Sequence, residues 1–239
     1  EVGVEVHPGA GAGTSITDSI IAGSWGLQIG GSGVEVRGNR VGVTAAGAAF
    51  ASTRVGVITF GGGTAIVDNT IWASTVGVVA IRISGSQSGA GAQITGNRIG
   101  LAADGTTPLA GMGEGIRIEG ASGVTISSNR VATDHPGISV VGLLVSEISG
   151  NGDNQQFSMP NFYDTSGEIP SLDGATVSGN TILTPGSGAA AGIFAWGGGS
   201  AVSIQGNTIT GSRAHGIRIE GGRRHTVAGN AVGATDGAP

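Results

Sequence analysis

The sequence predicts an all-β solenoid of about nine coils, each built from three short strands, and two observations carry that expectation. Asparagine returns at Asn39, Asn69, Asn97, Asn129, Asn151, Asn180, Asn207 and Asn230, with Ser19 holding the same place in an earlier copy. The steps are 20, 30, 28, 32, 22, 29, 27 and 23 residues, a period typical of stacked repeats. The second observation is the fixed apolar frame around each copy. Val36, Ile66, Ile94, Ile126, Ile148, Val177, Ile204 and Val227 lie three residues before the asparagines. Val41, Ile71, Ile99, Val131, Ile182, Ile209 and Val232 lie two residues after, with Asp153 the one exception.

Each copy reads apolar-x-Gly-Asn-x-apolar, which joins two alternating strands through a corner. Glycine precedes the asparagine in six copies, at Gly38, Gly96, Gly150, Gly179, Gly206 and Gly229. A corner needs left-handed backbone, which Gly and Asn adopt at the least cost. Coils stacked in register would place the asparagine amides one above another, where they can bond as a ladder. Upstream of most corners lies the third strand. It reads Gly26-Leu27-Gln28-Ile29, Ala80-Ile81-Arg82-Ile83, Gly115-Ile116-Arg117-Ile118, Gly137-Ile138-Ser139-Val140, Gly192-Ile193-Phe194-Ala195 and Gly216-Ile217-Arg218-Ile219. Alternate residues of all three strands then point inward to one narrow core.

Composition excludes the alternatives. With 49 glycines in 239 residues, no window can hold a long amphipathic helix. Glycine does not recur at every third position as in collagen, and the repeat is too short for a propeller blade. Net charge is −5, all 11 basic residues are arginine, and no arginine-rich run exceeds Arg223-Arg224, which argues against a nucleic-acid partner. No apolar stretch is long enough to span a membrane. Cysteine is absent, so disulfides and thiolate metal sites are excluded. Residues 1–239 read as one domain with an irregular insertion at 152–174. Val232-Gly233-Ala234-Thr235-Asp236-Gly237 starts to repeat the segment after Asn39 and Asn97, and neither end carries a polar cap. Further coils at one or both ends are therefore expected.

The pattern from Ile16 to Val232 resembles the right-handed parallel β-helix, the fold of pectate lyases, tailspikes and many bacterial surface proteins. Ile99-Gly100-Leu101-Ala102-Ala103-Asp104-Gly105-Thr106-Thr107, with Val41-Gly42-Val43-Thr44-Ala45-Ala46-Gly47 as its second copy, is similar to repeats of large secreted bacterial β-helix proteins. The resemblance implies right-handed winding and a place outside the cell. Calcium-dependent lyases of that fold gather aspartates on adjacent coils, and no such column exists here.

Two places could carry function. The insertion holds Phe157, Phe162 and the only tyrosine, Tyr163, and loops that interrupt a regular scaffold often carry function. Near it lie Asp134, His135, Asp153 and Asp164, an arrangement that acid–base chemistry could use. The other place is the outer face of the Gly-Ile-x-Ile strands. Alternation turns Arg82, Arg117, Phe194 and Arg218 outward, followed by Glu119, Trp196 and Glu220. Exposed aromatic rings beside charged groups suit the apolar faces and hydroxyls of sugars. On this expectation Arg82, Arg117, Glu119, Phe194, Trp196, Arg218 and Tyr163 bind a polysaccharide or cell-surface glycan. Glu119 and Glu220 are expected four coils apart, roughly 19 Å, too far for a glycosidase pair. The histidines show no ligand spacing, so no metal or cofactor is expected. The function expected is a non-catalytic secreted or surface segment: a spacer, adhesin or glycan-binding scaffold. A polysaccharide lyase, glycoside hydrolase or epimerase, with its site beside the insertion, is the alternative.

Overall fold

The computed structural model describes residues 1–81, 90–141, 174–184, 191–196, 201–212 and 214–233. Among these residues there is no helix, and the chain winds through eight coils of three strands. The first coil is β1 (Val2–Val6), β2 (Ser15–Thr17) and β3 (Ile20–Ile21). The second is β4 (Trp25–Ile29), β5 (Glu35–Arg37) and β6 (Arg40–Val41); the third is β7 (Val55–Thr59), β8 (Ala65–Val67) and β9 (Thr70–Ile71). The fourth is β10 (Val76–Ile81), β11 (Gln93–Thr95) and β12 (Arg98–Ile99); the fifth is β13 (Glu114–Glu119), β14 (Thr125–Ser127) and β15 (Arg130–Ala132). The sixth is β16 (Ile138–Val141), β17 (Thr176–Ser178) and β18 (Thr181–Leu183). The seventh is β19 (Ala191–Trp196), β20 (Ser203–Gln205) and β21 (Thr208–Thr210), and the eighth β22 (His215–Glu220), β23 (Thr226–Ala228) and β24 (Ala231–Gly233). The first, second and third strands of the coils each form an eight-stranded parallel sheet. The fold is a right-handed parallel β-helix.

The repeat count led to about nine coils, and the structure has eight among the described residues. Strand β14 pairs directly with β17, and β15 with β18, so the coil of Asn129 stacks on that of Asn180. Asn151 lies outside the described residues and supplies no rung between them.

The core follows the predicted frame. Val36, Ile66, Ile94, Val177 and Ile204 are fully buried and Ile126 is 1% exposed, as are their counterparts after the corner from Val41 to Ile209. The frame opens at the last coil, where Val227 is 50% and Val232 55% exposed at positions that Ile204 and Ile209 fill completely in the coil below.

The asparagines form the ladder. Each backbone N–H donates to the side-chain carbonyl of the next rung, from Ser19 N to Asn39 Oδ1 (3.0 Å) up to Asn207 N to Asn230 Oδ1 (2.9 Å). Each Nδ2 of the inner rungs also donates to the next Oδ1 and to a backbone carbonyl of the previous coil. The left-handed residue is the one before the asparagine: Gly96 has φ +69°, and Asp68 and Ser128 take φ 57° and 56° in the same place. Asparagine is therefore retained for its bonds, and the glycine before it for the turn.

A second glycine column lies at the entry to the first sheet: Gly3, Gly26, Gly56, Gly77, Gly115, Gly137, Gly192 and Gly216. A methyl group on Gly115 would stand 2.4 Å from both the Gly137 carbonyl oxygen and Val131 Cγ1. The β-branched residue of the third sheet fills that corner and leaves no room for a side chain. The duplicated segments after Val41 and Ile99 are two small loops closed by the bridges Val43–Ala49 and Leu101–Pro108. Trp72 lies 5% exposed and donates its indole N–H to the Ala110 carbonyl at 3.3 Å. The repeat in sequence is thus a repeat in space.

Candidate ligand-binding face

Parallel pairing on the first sheet fixes which residues share a column. Gln28, Ile58, Val79, Arg117, Ser139, Phe194 and Arg218 are successive partners. Two residues further on, Ile81, Glu119, Val141, Trp196 and Glu220 are partners. Arg82 was expected beside Arg117, but Val79 stands there. The fourth coil begins its strand three residues earlier than the Gly-Ile-x-Ile match suggested, on Gly77 of the glycine column, and Arg82 lies outside the described residues. With one coil fewer, Glu119 and Glu220 are three strand spacings apart, roughly 14 Å.

This face changes character along the rod. Around the third coil it is apolar and covered: Val55, Ile58 and Val76 are buried and pack with Trp25 and Phe60 in a cluster separate from the core. Strand β7 is buried at every residue. Sequence reasoning passed over Val55-Gly56-Val57-Ile58-Thr59, although a strand apolar on both sides is the pattern of one covered on both faces.

In the fifth coil the face is a partly buried ion triad. Arg117 Nε donates to Glu114 Oε2 at 2.6 Å, and Arg117 Nη1 reaches Glu119 Oε1 at 3.3 Å. Glu114 is 6% exposed and was missed in the sequence, because the position before the column glycine is apolar in most coils. Arg117 is no simple surface ion: it holds two shielded carboxylates together. Burial raises the Glu119 carboxyl above the ordinary glutamate value of 4.5, and Arg117 only partly offsets this. Above that pH the unfolded chain releases its proton before the folded one does, so this group lowers stability as pH rises through the window just above 4.5. Glu119→Gln is accordingly expected to raise the melting temperature modestly at pH 7 and to leave it unchanged below about pH 4. Thermal melts at the two pH values check this. A lower melting temperature at pH 7 would mean the contact with Arg117 outweighs burial.

In the seventh and eighth coils the face is accessible. Phe194 and Trp196 are half-buried on one strand. The Arg218 guanidinium lies 5.8 Å from the Phe194 ring centre, a cation–π contact, and Arg218 also binds Glu220. Trp196 is paired in register with Glu220. The structure therefore brings Phe194, Trp196, Arg218 and Glu220 together and leaves Arg117 and Glu119 two coils away.

Of the candidate catalytic residues, Asp134 and His135 are among the described residues. Asp134 and His135 lie in the turn between β15 and β16, where the His135 N–H donates to Thr133 Oγ1 at 3.1 Å. Asp153, Asp164 and Tyr163 lie outside the described residues. Among the described residues no three His, Cys, Asp or Glu side chains are grouped as a metal site.

No family model matches the chain, and no curated protein sequence does. Two solved structures share the fold. The A-module of a mannuronan C-5 epimerase from Azotobacter vinelandii superposes with a TM-score of 0.51 at 16% identity, over 92% of this chain and 57% of that one. A point mutant of the tailspike of the E. coli bacteriophage HK620, in complex with a pentasaccharide, gives a TM-score of 0.51 at 11% identity, over 97% of this chain and 43% of that one. The chain thus spans about half the length of each.

Proposed function

We propose that this chain is a non-catalytic, secreted or cell-surface β-helix segment that binds glycan on the outside of its first sheet, at Phe194, Trp196, Arg218 and Glu220. One observation carries the reading: two half-buried aromatic rings on a single strand, with an arginine over one of them, on the rigid outer face of a sheet. Rings fixed in this way can lie under pyranose faces while the charged pair bonds hydroxyls. Both structural neighbours are named for carbohydrate, one as a mannuronan epimerase and one with a bound pentasaccharide, which lends the reading support. Further coils on the C-terminal end belong to the same proposal. Val227 and Val232 are core positions left open, and a longer piece of the protein should bury both.

An enzymatic reading, as a lyase, hydrolase or epimerase, has less behind it. Glu114 and Glu119 share one arginine, and Glu119 and Glu220 lie roughly 14 Å apart, beyond the separation of a hydrolytic pair.

Affinity electrophoresis of the chain against a panel of polysaccharides tests the proposal. Trp196→Ala is expected to weaken retention at least about tenfold, the equivalent of losing one aromatic platform, with the far-ultraviolet spectrum unchanged. Retention equal to that of the unaltered chain would remove Trp196 from the site, and no retention by any glycan would reject the function.

A further inference from the structure

We propose a second site, on the outer face of the third sheet, where Arg98 and Arg130 bind the acidic groups of an anionic polysaccharide. Six arginines lie in described strands, and the face they occupy sorts them. On the first and second sheets every one is matched by carboxylate: Arg37 by Glu35 and Asp68, Arg117 by Glu114 and Glu119, Arg218 by Glu220. On the third sheet stand Arg40, Arg98 and Arg130, and among the described residues none of these has a carboxylate within 4.0 Å. Arg40 at least donates to the Ala45 carbonyl at 2.6 Å.

Arg98 and Arg130 are direct partners in parallel register and both are exposed, so their backbones stand one strand spacing apart, roughly 4.8 Å, with two like charges on adjacent coils. Like charges placed opposite one another destabilise a sheet. The one carboxylate that the sequence puts beside them is engaged elsewhere. Asp104, next to the Gly105 that the Arg98 side chain lies against, accepts from the Thr106 and Thr107 N–H groups and from Thr107 Oγ1. These bonds hold its carboxyl well below the usual range. The corner residues beside the two arginines, Gly96 and Ser128, carry no acid, where Asp18 and Asp68 occupy the same corner in the first and third coils. Thr181 and Thr208, both exposed, extend the column beyond Arg130 and add two hydroxyls beside the guanidinium pair.

Planar guanidinium forks on adjacent coils can bond carboxylate or sulfate groups of a sugar chain, and the exposed threonines can bond its hydroxyls. This face is distinct from the aromatic one, whose arginines are already neutralised, so the two sites differ in ligand charge. A polyanionic glycan is favoured over nucleic acid because the chain has no arginine-rich run beyond Arg223-Arg224 to track a phosphate backbone.

The test uses a polyuronate, a neutral glucan and a DNA duplex as probes, each in low salt and in about 0.5 M salt. Arg130→Ala and Arg98→Ala are compared with Arg37→Ala, which removes a paired arginine, and with Trp196→Ala. The expected result is polyuronate binding that salt weakens, that falls about tenfold or more in each third-sheet variant, and that Arg37→Ala leaves intact. Arg130→Lys keeps the charge without the fork and should retain part of the affinity. Polyuronate binding unaffected by either variant, no polyuronate binding in low salt, or tighter binding of DNA would each overturn the proposal. Loss of neutral-glucan binding with Trp196→Ala reports on the first-sheet reading alone, so the two can fail separately.

Discussion

Ile126→Asp is expected to destabilise the rod by several kcal/mol, enough to leave little of a typical domain's stability of about 5–15 kcal/mol. Ile126 is 1% exposed in the fifth coil, and its strand partners are Ile94 below and Val177 above. A carboxylate there would meet apolar side chains within the tube and no partner. Because each coil stabilises only its neighbours, the damage in a central coil should divide the stack. Denaturant titration of Ile126→Asp beside Arg130→Ala checks the register directly. Arg130 is exposed and unpaired, so its loss should change stability by less than about 0.5 kcal/mol. Similar losses from both variants would mean that inside and outside have been assigned wrongly.

Asn129→Ala carries the next largest effect, about 3 kcal/mol or more. Its side chain is fully buried and makes four bonds at once. Oδ1 accepts from the N–H and Nδ2 of Asn97, while Nδ2 donates to the Ile94 carbonyl and to Asn180 Oδ1. Alanine would leave the Asn97 N–H buried without a partner, at a cost of about 1–3 kcal/mol, and would also remove the two bonds that Nδ2 donates. Asn129→Asp keeps an acceptor but removes the donor, so it should be nearly as harmful. Melting curves of both variants check this. Asn129→Ala at wild-type stability would reduce the ladder to a packing coincidence.

The ladder and the core were open to sequence reasoning because each coil repeats the same physical demand. Asn129 and Ile126 recur with six or seven counterparts, and the repetition separates their signal from chance. What was not legible is what occurs once. The copy at Asn151 looked like another rung, and only the direct pairing of β14 with β17 shows that the stack passes it by. Arg82 was placed by a motif match, whereas the register of the fourth coil is set by Gly77, whose added methyl group would stand 2.7 Å from Ile99 Cγ2. Glu114 could not be read as the partner of Arg117, since residues three apart on a regular strand alternate to opposite faces. The unpaired state of Arg98 and Arg130 is likewise a property of the folded surface: Asp104 is six residues from Arg98 in sequence, and only the turn it caps removes it as a partner.

The most direct test of the functional account is hydrogen–deuterium exchange of the chain with and without a neutral glycan that it retains. The account predicts added protection in β19 and β22, around Phe194, Trp196 and Arg218, with β20 and β23 of the second sheet unchanged. Protection confined to the second sheet, or spread evenly over all three, would contradict a binding face on the outside of the first.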